Sequence, residues 1–204
     1  MKHLNLILAS GLAVAAAAFT SCERHADVAG SWTGMPDRSL AVSGAIDVTS
    51  TISLDFAQQP ASKAKDSGLL TISAAIDANQ PVTGGTFENA AYEVSVAASA
   101  SMTGTWAFID DDDIAITLDP SSFTVKVDPD GVTFAEDLVS GMQDPQLDSL
   151  STATAARWQS VIAPAIKTEF LKYNKLDDIK IKNGIMTFEI ADRDYTFRRN
   201  NVQQ

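Results

Sequence analysis

Cysteine occurs once, at Cys22, and histidine twice, at His3 and His25. A single cysteine excludes any disulfide within the chain, so packing must supply the stability. Both histidines lie within the first 25 residues, which leaves none for the body of the chain. That excludes Ser-His-Asp hydrolysis, Cys-His chemistry and His-ligated zinc there. There is no Gly-rich phosphate loop and no Gly-x-Ser-x-Gly elbow. Basic residues are also scarce, with 15 Lys and Arg against 26 Asp and Glu for a net charge of −11. Such an excess of acid argues against nucleic acid and anionic lipid surfaces as electrostatic partners.

Long apolar runs are missing except near the start. Lys2 and His3 are basic, residues 4–19 are almost wholly apolar, and the small residues Thr20 and Ser21 lead to Cys22. The run is too short and too alanine-rich for a membrane span of ~20 residues. Its order is that of a secretory signal peptide covering residues 1–21. The segment resembles the lipobox of bacterial lipoproteins, although Phe19 stands where that pattern usually has Leu. The resemblance implies that Cys22 becomes the first residue and carries lipid, palmitate included. It also implies that residues 22–29 form a tether to the cell envelope of a Gram-negative bacterium, at the outer membrane. Each buried methylene contributes ~0.8 kcal/mol, so several acyl chains hold firmly where one does not. Lipidation would also remove the lone thiol, a liability in an oxidising compartment. Cleavage after residue 21 takes away Lys2 and no acid. The remaining 183 residues carry 14 Lys and Arg against 26 Asp and Glu, net −12, and fit one domain.

Alternation of period two dominates residues 30–127. A first strand around Trp32 stops at Pro36. Ile46, Val48, Ile52, Leu54 and Phe56 share one face of a second strand, and Asp47, Thr49, Thr51, Ser53 and Asp55 the other. Leu70, Ile72, Ala74 and Ile76 define a third. A long fourth strand runs from Tyr92 to Phe108 in a single phase, with a bend or bulge expected near Gly104. Residues 110–113 read as a turn, Ile114, Ile116 and Leu118 as a strand, and Pro120 and Ser121 as a reversal. Phe123, Val125 and Val127 follow as a strand, ended by Asp128-Pro129-Asp130-Gly131, a strong turn signal.

The period then lengthens. Leu150, Trp158, Val161, Ile162, Ile166, Phe170 and Tyr173 recur at helical spacing, which predicts a helix over about 150–173. Ser149 or Ser151 is the expected cap and Pro164 an expected kink. A shorter helix is expected over about 136–142. Ile179 and Ile181 lead to Asn183-Gly184, a two-residue hairpin signal, and strands around Phe188 and Phe197 complete the chain.

These elements predict a mainly β fold. It is an antiparallel meander barrel of about eight or nine strands over residues 30–204, with one long helix before the last three strands. Gly30-Ser31-Trp32 resembles the Gly-x-Trp opening of lipocalins and their calycin relatives, and more specifically of small lipocalin-like envelope lipoproteins of Gram-negative bacteria. The resemblance implies that Trp32 closes the barrel floor and that an Arg from the last strand lies across it. Arg199 is the candidate and Arg198 the second choice. Gly104-Thr105-Trp106 repeats the motif, and the helix here precedes three strands where lipocalins place it before one.

If Pro120 reverses the chain, Asp110, Asp111, Asp112, Asp113, Asp128 and Asp130 crowd one rim of the barrel. A solvated acidic rim is the expected state, with a bridging calcium ion as the alternative. No other cofactor is implied. Three functions stay open. One is a non-enzymatic barrel holding a small apolar or amphiphilic ligand. Another is a filled scaffold that meets a partner protein or glycan on its Ser/Thr-rich outer face. The least favoured is a hydrolase using paired carboxylates. A cavity above ~300 Å³ would favour the first.

Overall fold

A computed structural model describes residues 27–38, 40–42, 47–58, 66–81 and 92–200. The signal segment and Cys22 lie outside them. Alternating burial along each strand builds the architecture. β1 (Gly30–Gly34) pairs antiparallel with β2 (Asp47–Gln58), β2 with β3 (Ser67–Pro81), and β3 with β4 (Tyr92–Phe108). β4 pairs with β5 (Ile114–Leu118) and also with β6 (Thr124–Phe134). α1 (Glu136–Val139) and α2 (Asp144–Phe170) follow. β5 then pairs with β7 (Lys175–Lys182), β7 with β8 (Ile185–Ile190), β8 with β9 (Arg193–Arg199), and β9 returns to β1. The result is a closed eight-stranded antiparallel barrel with β6 as an added strand and the long helix before the last three strands. This is the fold class that the periodicity predicts.

The inward phase carries the core. Ile52, Leu54 and Phe56 of β2 face Ala74, Ile72 and Leu70 of β3 in register, and all six are buried. The buried residues of α2 are Ala155, Trp158, Ile162, Ile166 and Phe170, and the helix packs against β6 and β4. Inward alanines on the sheet, Ala74 paired with Ala100 and Ala98 paired with the larger Ile76, keep that interior surface low.

β4 carries no bulge or break at Gly104. Of its seventeen residues, a length of ~56 Å, residues 94–107 pair with β3 in continuous register through Gly104, and the irregularity on that edge lies at the other end, between Gln80 and Pro81. What divides is its partner. Residues 104–108 pair with β5, and residues 94–101 with β6. A Cβ on Gly104 would stand 2.3 Å from the carbonyl oxygen of Thr117, so glycine is what permits the close approach at this fork.

The fork corrects two expected turns. Pro120–Ser122 form one 3-10 turn, capped by the Asp119 side chain, and the chain continues in the same direction along β4 instead of reversing. Asp128-Pro129-Asp130-Gly131 is a bulge inside β6, lying between the pairs Ala98↔Val127 and Val96↔Val132. The turn chemistry is there, since Asp128 Oδ1 accepts from the Asp130 N–H at 3.2 Å. The apolar residues Val132 and Phe134 resume the pairing beyond it, so a local turn becomes a bulge rather than a strand end.

Helix α2 starts earlier than the expected Ser149 or Ser151 cap. Gln143 is the N-cap and exchanges hydrogen bonds with Gln146, while Pro145 occupies the first turn, where no N–H is needed. The helix runs unbroken through Pro164. α1 is shorter than the expected 136–142.

Candidate binding site at the barrel mouth

The two ends of the barrel differ in what fills them. β1 starts at one end, where Gly30 pairs with Phe56, and runs toward the other. At the starting end Trp32 is fully buried and donates from Nε1 to the carbonyl of Val28 at 2.8 Å. Arg199 is its register partner across the closing β1–β9 pair, and the guanidinium carbon lies 4.5 Å from the centroid of the Trp32 ring. Arg199 Nη2 also donates to the Asp27 carbonyl at 2.6 Å and sits 3.5 Å from the Asp27 carboxylate. Arg198, the second choice, pairs with Thr33 and is exposed. The other Gly-x-Trp places Trp106 at the same end, edge-on to Phe56 at 5.6 Å and to Phe108 at 5.9 Å. Aromatic rings therefore close this end.

At the other end the interior opens into a cup of about 360 Å³. Its inner wall continues the inward phase of three strands: Gly34 from β1, Ser50 and Ile52 from β2, and Tyr195 and Phe197 from β9. Glu169 near the end of α2, and Tyr173 just past it, complete one side, and Met35, Pro36, Asp37, Arg193 and Asp194 form the rim. The Asp37–Ser50 bridge, with hydrogen bonds of 2.8 and 2.7 Å, holds the rim loop to β2. Ser50 is the one buried polar side chain among the described residues. The Tyr195 ring stacks on Phe188 at 5.7 Å and meets Tyr173 edge-on at 5.9 Å. Burial pushes the Tyr173 hydroxyl well above its ordinary pKa, and the neighbouring Tyr195, Glu169 and Asp37 push it further. It therefore stays protonated and can donate a hydrogen bond. Glu169 pairs with Lys172 at 2.5 Å.

The six aspartates do not share a rim. Because β6 continues along β4, Asp128 and Asp130 lie beside Ala97, about eleven residues and ~36 Å along β4 from Phe108, where the strand gives way to the loop of residues 110–113. Within that loop Asp113 accepts a hydrogen bond from Lys175 Nζ at 2.9 Å and another from the Asp178 N–H at 3.2 Å, and both hold its carboxyl below the usual range. Asp177 also pairs with Lys175, and the two acids raise the lysine above its ordinary pKa. At the bulge, the Asp130 N–H and the Lys126 ammonium hold Asp128 down. Among the described residues no three acids, His or Cys are grouped to hold a metal ion.

The outer face of the sheet carries a groove of about 520 Å³ lined mostly by small residues. Register aligns Thr33, Ser53, Ser73, Ser101 and Thr124 in one row across five strands, with side-chain hydrogen bonds of 2.9 Å at each end of the row.

Sequence reasoning singled out Trp32, Arg199 and the acids, and it missed the cup. The signals were small: Gly34 in phase with Trp32, Ser50 among apolar neighbours, and Tyr173 at the end of the helical pattern. The geometry defines a closed antiparallel barrel with a filled floor and an open mouth. No protein-family model matches this chain, and no curated protein matches it.

Proposed function

We propose that the chain is a lipid-anchored, non-enzymatic binding protein of the cell envelope, and that its barrel takes a small amphiphilic ligand at the mouth. The observation that carries this reading is the contrast within one barrel: a floor filled by aromatic rings, and a cup of about 360 Å³ whose wall mixes Ile52, Phe197 and two tyrosines with Ser50 and Glu169 under a charged rim. That volume lies at the low end of ligand pockets, roughly 300–1,000 Å³. The leader ending at Cys22 supports the anchor. Asp27, held by Arg199 at the closed end, lies five residues beyond Cys22, so a lipid on that cysteine stays within ~18 Å of the closed end. The mouth then faces away from the membrane.

Native mass spectrometry of the purified mature protein tests the binding reading. A co-purifying small molecule that disappears in Tyr195→Ala supports it, and a spectrum of the bare chain alone counts against it. Membrane fractionation tests the address. Cys22→Ser should release the folded domain into the soluble fraction, and retention after a salt wash would refute the lipid anchor. A second reading, docking of a glycan or partner protein on the outer face, is favoured by the aligned hydroxyl row of the groove.

A further inference from the structure

We propose that the mouth cup selects neutral molecules of roughly one ring that carry a hydrogen-bond acceptor, such as a carbonyl or an amide. The inference rests on the binding reading above and adds the chemistry of the ligand. Two hydroxyl side chains of the wall, Ser50 and Tyr173, are almost wholly buried, at 3% and 2% exposure. The Ser50 backbone is engaged by Asp37, yet neither hydroxyl has a hydrogen-bond partner among the described residues. Nor is either oxygen sealed off, since the partnerless side-chain atoms with no accessible surface there are the indole nitrogens of Trp106 and Trp158. What exposure the two hydroxyls keep therefore opens on the cup. A buried hydroxyl is costly to leave unpaired, so a ligand that completes it is favoured. Tyr173 stays protonated and offers a donor to an acceptor, while Ser50 can give or take. Beside them stand Ile52, Phe197 and Tyr195, whose ring is held by its stack on Phe188. Glu169, the charged group of the wall, is already paired with Lys172, and the rim carries both signs, with Asp194 next to Arg193. An ion drawn below the rim would leave water without gaining an unpaired counter-charge from the wall, which is costly. A neutral ring with one polar group avoids that cost. The volume of about 360 Å³ leaves room for a body of roughly one ring.

Isothermal titration of the mature protein separates the alternatives with probes of similar size: 2-phenylacetamide, ethylbenzene, phenylacetate and 2-phenylethylammonium. The amide should bind at least about fivefold tighter than each of the others. Tyr173→Phe keeps the ring and removes only the hydroxyl, and it should cut amide affinity by roughly fivefold to tenfold, the loss of one hydrogen bond. That hydroxyl has no partner within the described residues, so the variant's melting temperature should stay within about two degrees of the parent's. Ser50→Ala should weaken the amide by about threefold while its backbone bonds to Asp37 remain. Equal or tighter binding of either ion would overturn the proposal, as would equal binding of ethylbenzene, unchanged amide affinity in Tyr173→Phe, or no amide binding at all. A charged molecule that co-purifies and is lost in Tyr195→Ala would keep the mouth as a binding site while removing the neutral ligand from it.

Discussion

At the closed end of the barrel, Trp32, Phe56, Trp106 and Phe108 gather, with Trp106 edge-on to both phenylalanines, and Arg199 lies over the Trp32 ring. At the mouth, the inward phase of β9 still carries Tyr195 and Phe197, but β1 and β2 present Gly34, Ser50 and Ile52 opposite them, and the space left is a cup. On the β2–β3 wall pairing runs without interruption from Asp47 to Gln58, so there the backbone does not make the difference. Side-chain volume does. Large rings stabilise through buried area and quadrupole contacts. Small residues give up that stabilisation and leave room for something else. Stability and binding are therefore expected at opposite ends of one barrel.

Trp32→Ala should break this division most sharply, lowering stability by ~3–5 kcal/mol as for a large buried aromatic, measured by urea unfolding. A loss below ~1 kcal/mol would mean that the floor does not hold the barrel closed. Arg199→Ala comes next, at roughly 0.5–2 kcal/mol, the range of a cation over an indole face. The Trp32→Ala and Arg199→Ala pair should lose less than the sum of the single changes, because the two side chains are in contact. Strict additivity would argue against a working stack.

The smallest effect is expected at Asp113, beside the short β5–β7 seam. Its pKa is depressed in the folded state, so its contribution is present above the unfolded carboxyl pKa of ~3.9 and fades as pH falls through the lower folded value. Lys175 is shifted upward, so its share persists until strongly alkaline pH. Asp113→Asn should accordingly lower the melting temperature by a nearly constant amount between about pH 5 and 9, and the gap should shrink below about pH 4. A gap that widens in acid would contradict the assigned pairing.

The barrel was legible in the sequence because period-two alternation survives wherever one face is buried. Ile52, Leu54 and Phe56 could be assigned to the inside from their spacing alone. The helix was legible for the same reason at its own period. What escaped was connectivity. Pro120 and Asp128-Pro129-Asp130-Gly131 carry strong local turn chemistry, yet local chemistry does not say whether a turn reverses a strand or bulges within one. Val132 and Phe134, which resume pairing with β4, decide that, and their partners lie about forty residues earlier in the chain. The cup escaped because a cavity is marked by what is missing. Gly34 and Ser50 look like weak strand residues until the strands around them are placed.

The closing pair also bears on the order of folding. Trp32 and Arg199 are neighbours in space yet lie near opposite ends of the described chain, so joining β1 to β9 encloses nearly the whole domain as one loop. Loop-closure entropy grows only as the logarithm of length, which keeps the cost to the final state modest. Kinetically the burden is larger, because contacts this distant form slowly. Until β9 has been made, β1 has a partner on one side only, and the Trp32 ring lacks its cover. In the lipid-anchored protein proposed above, the amino-terminal segment emerges long before the last strand, so the leader can be processed at Cys22 while the barrel is still open. The floor forms when the last strand docks.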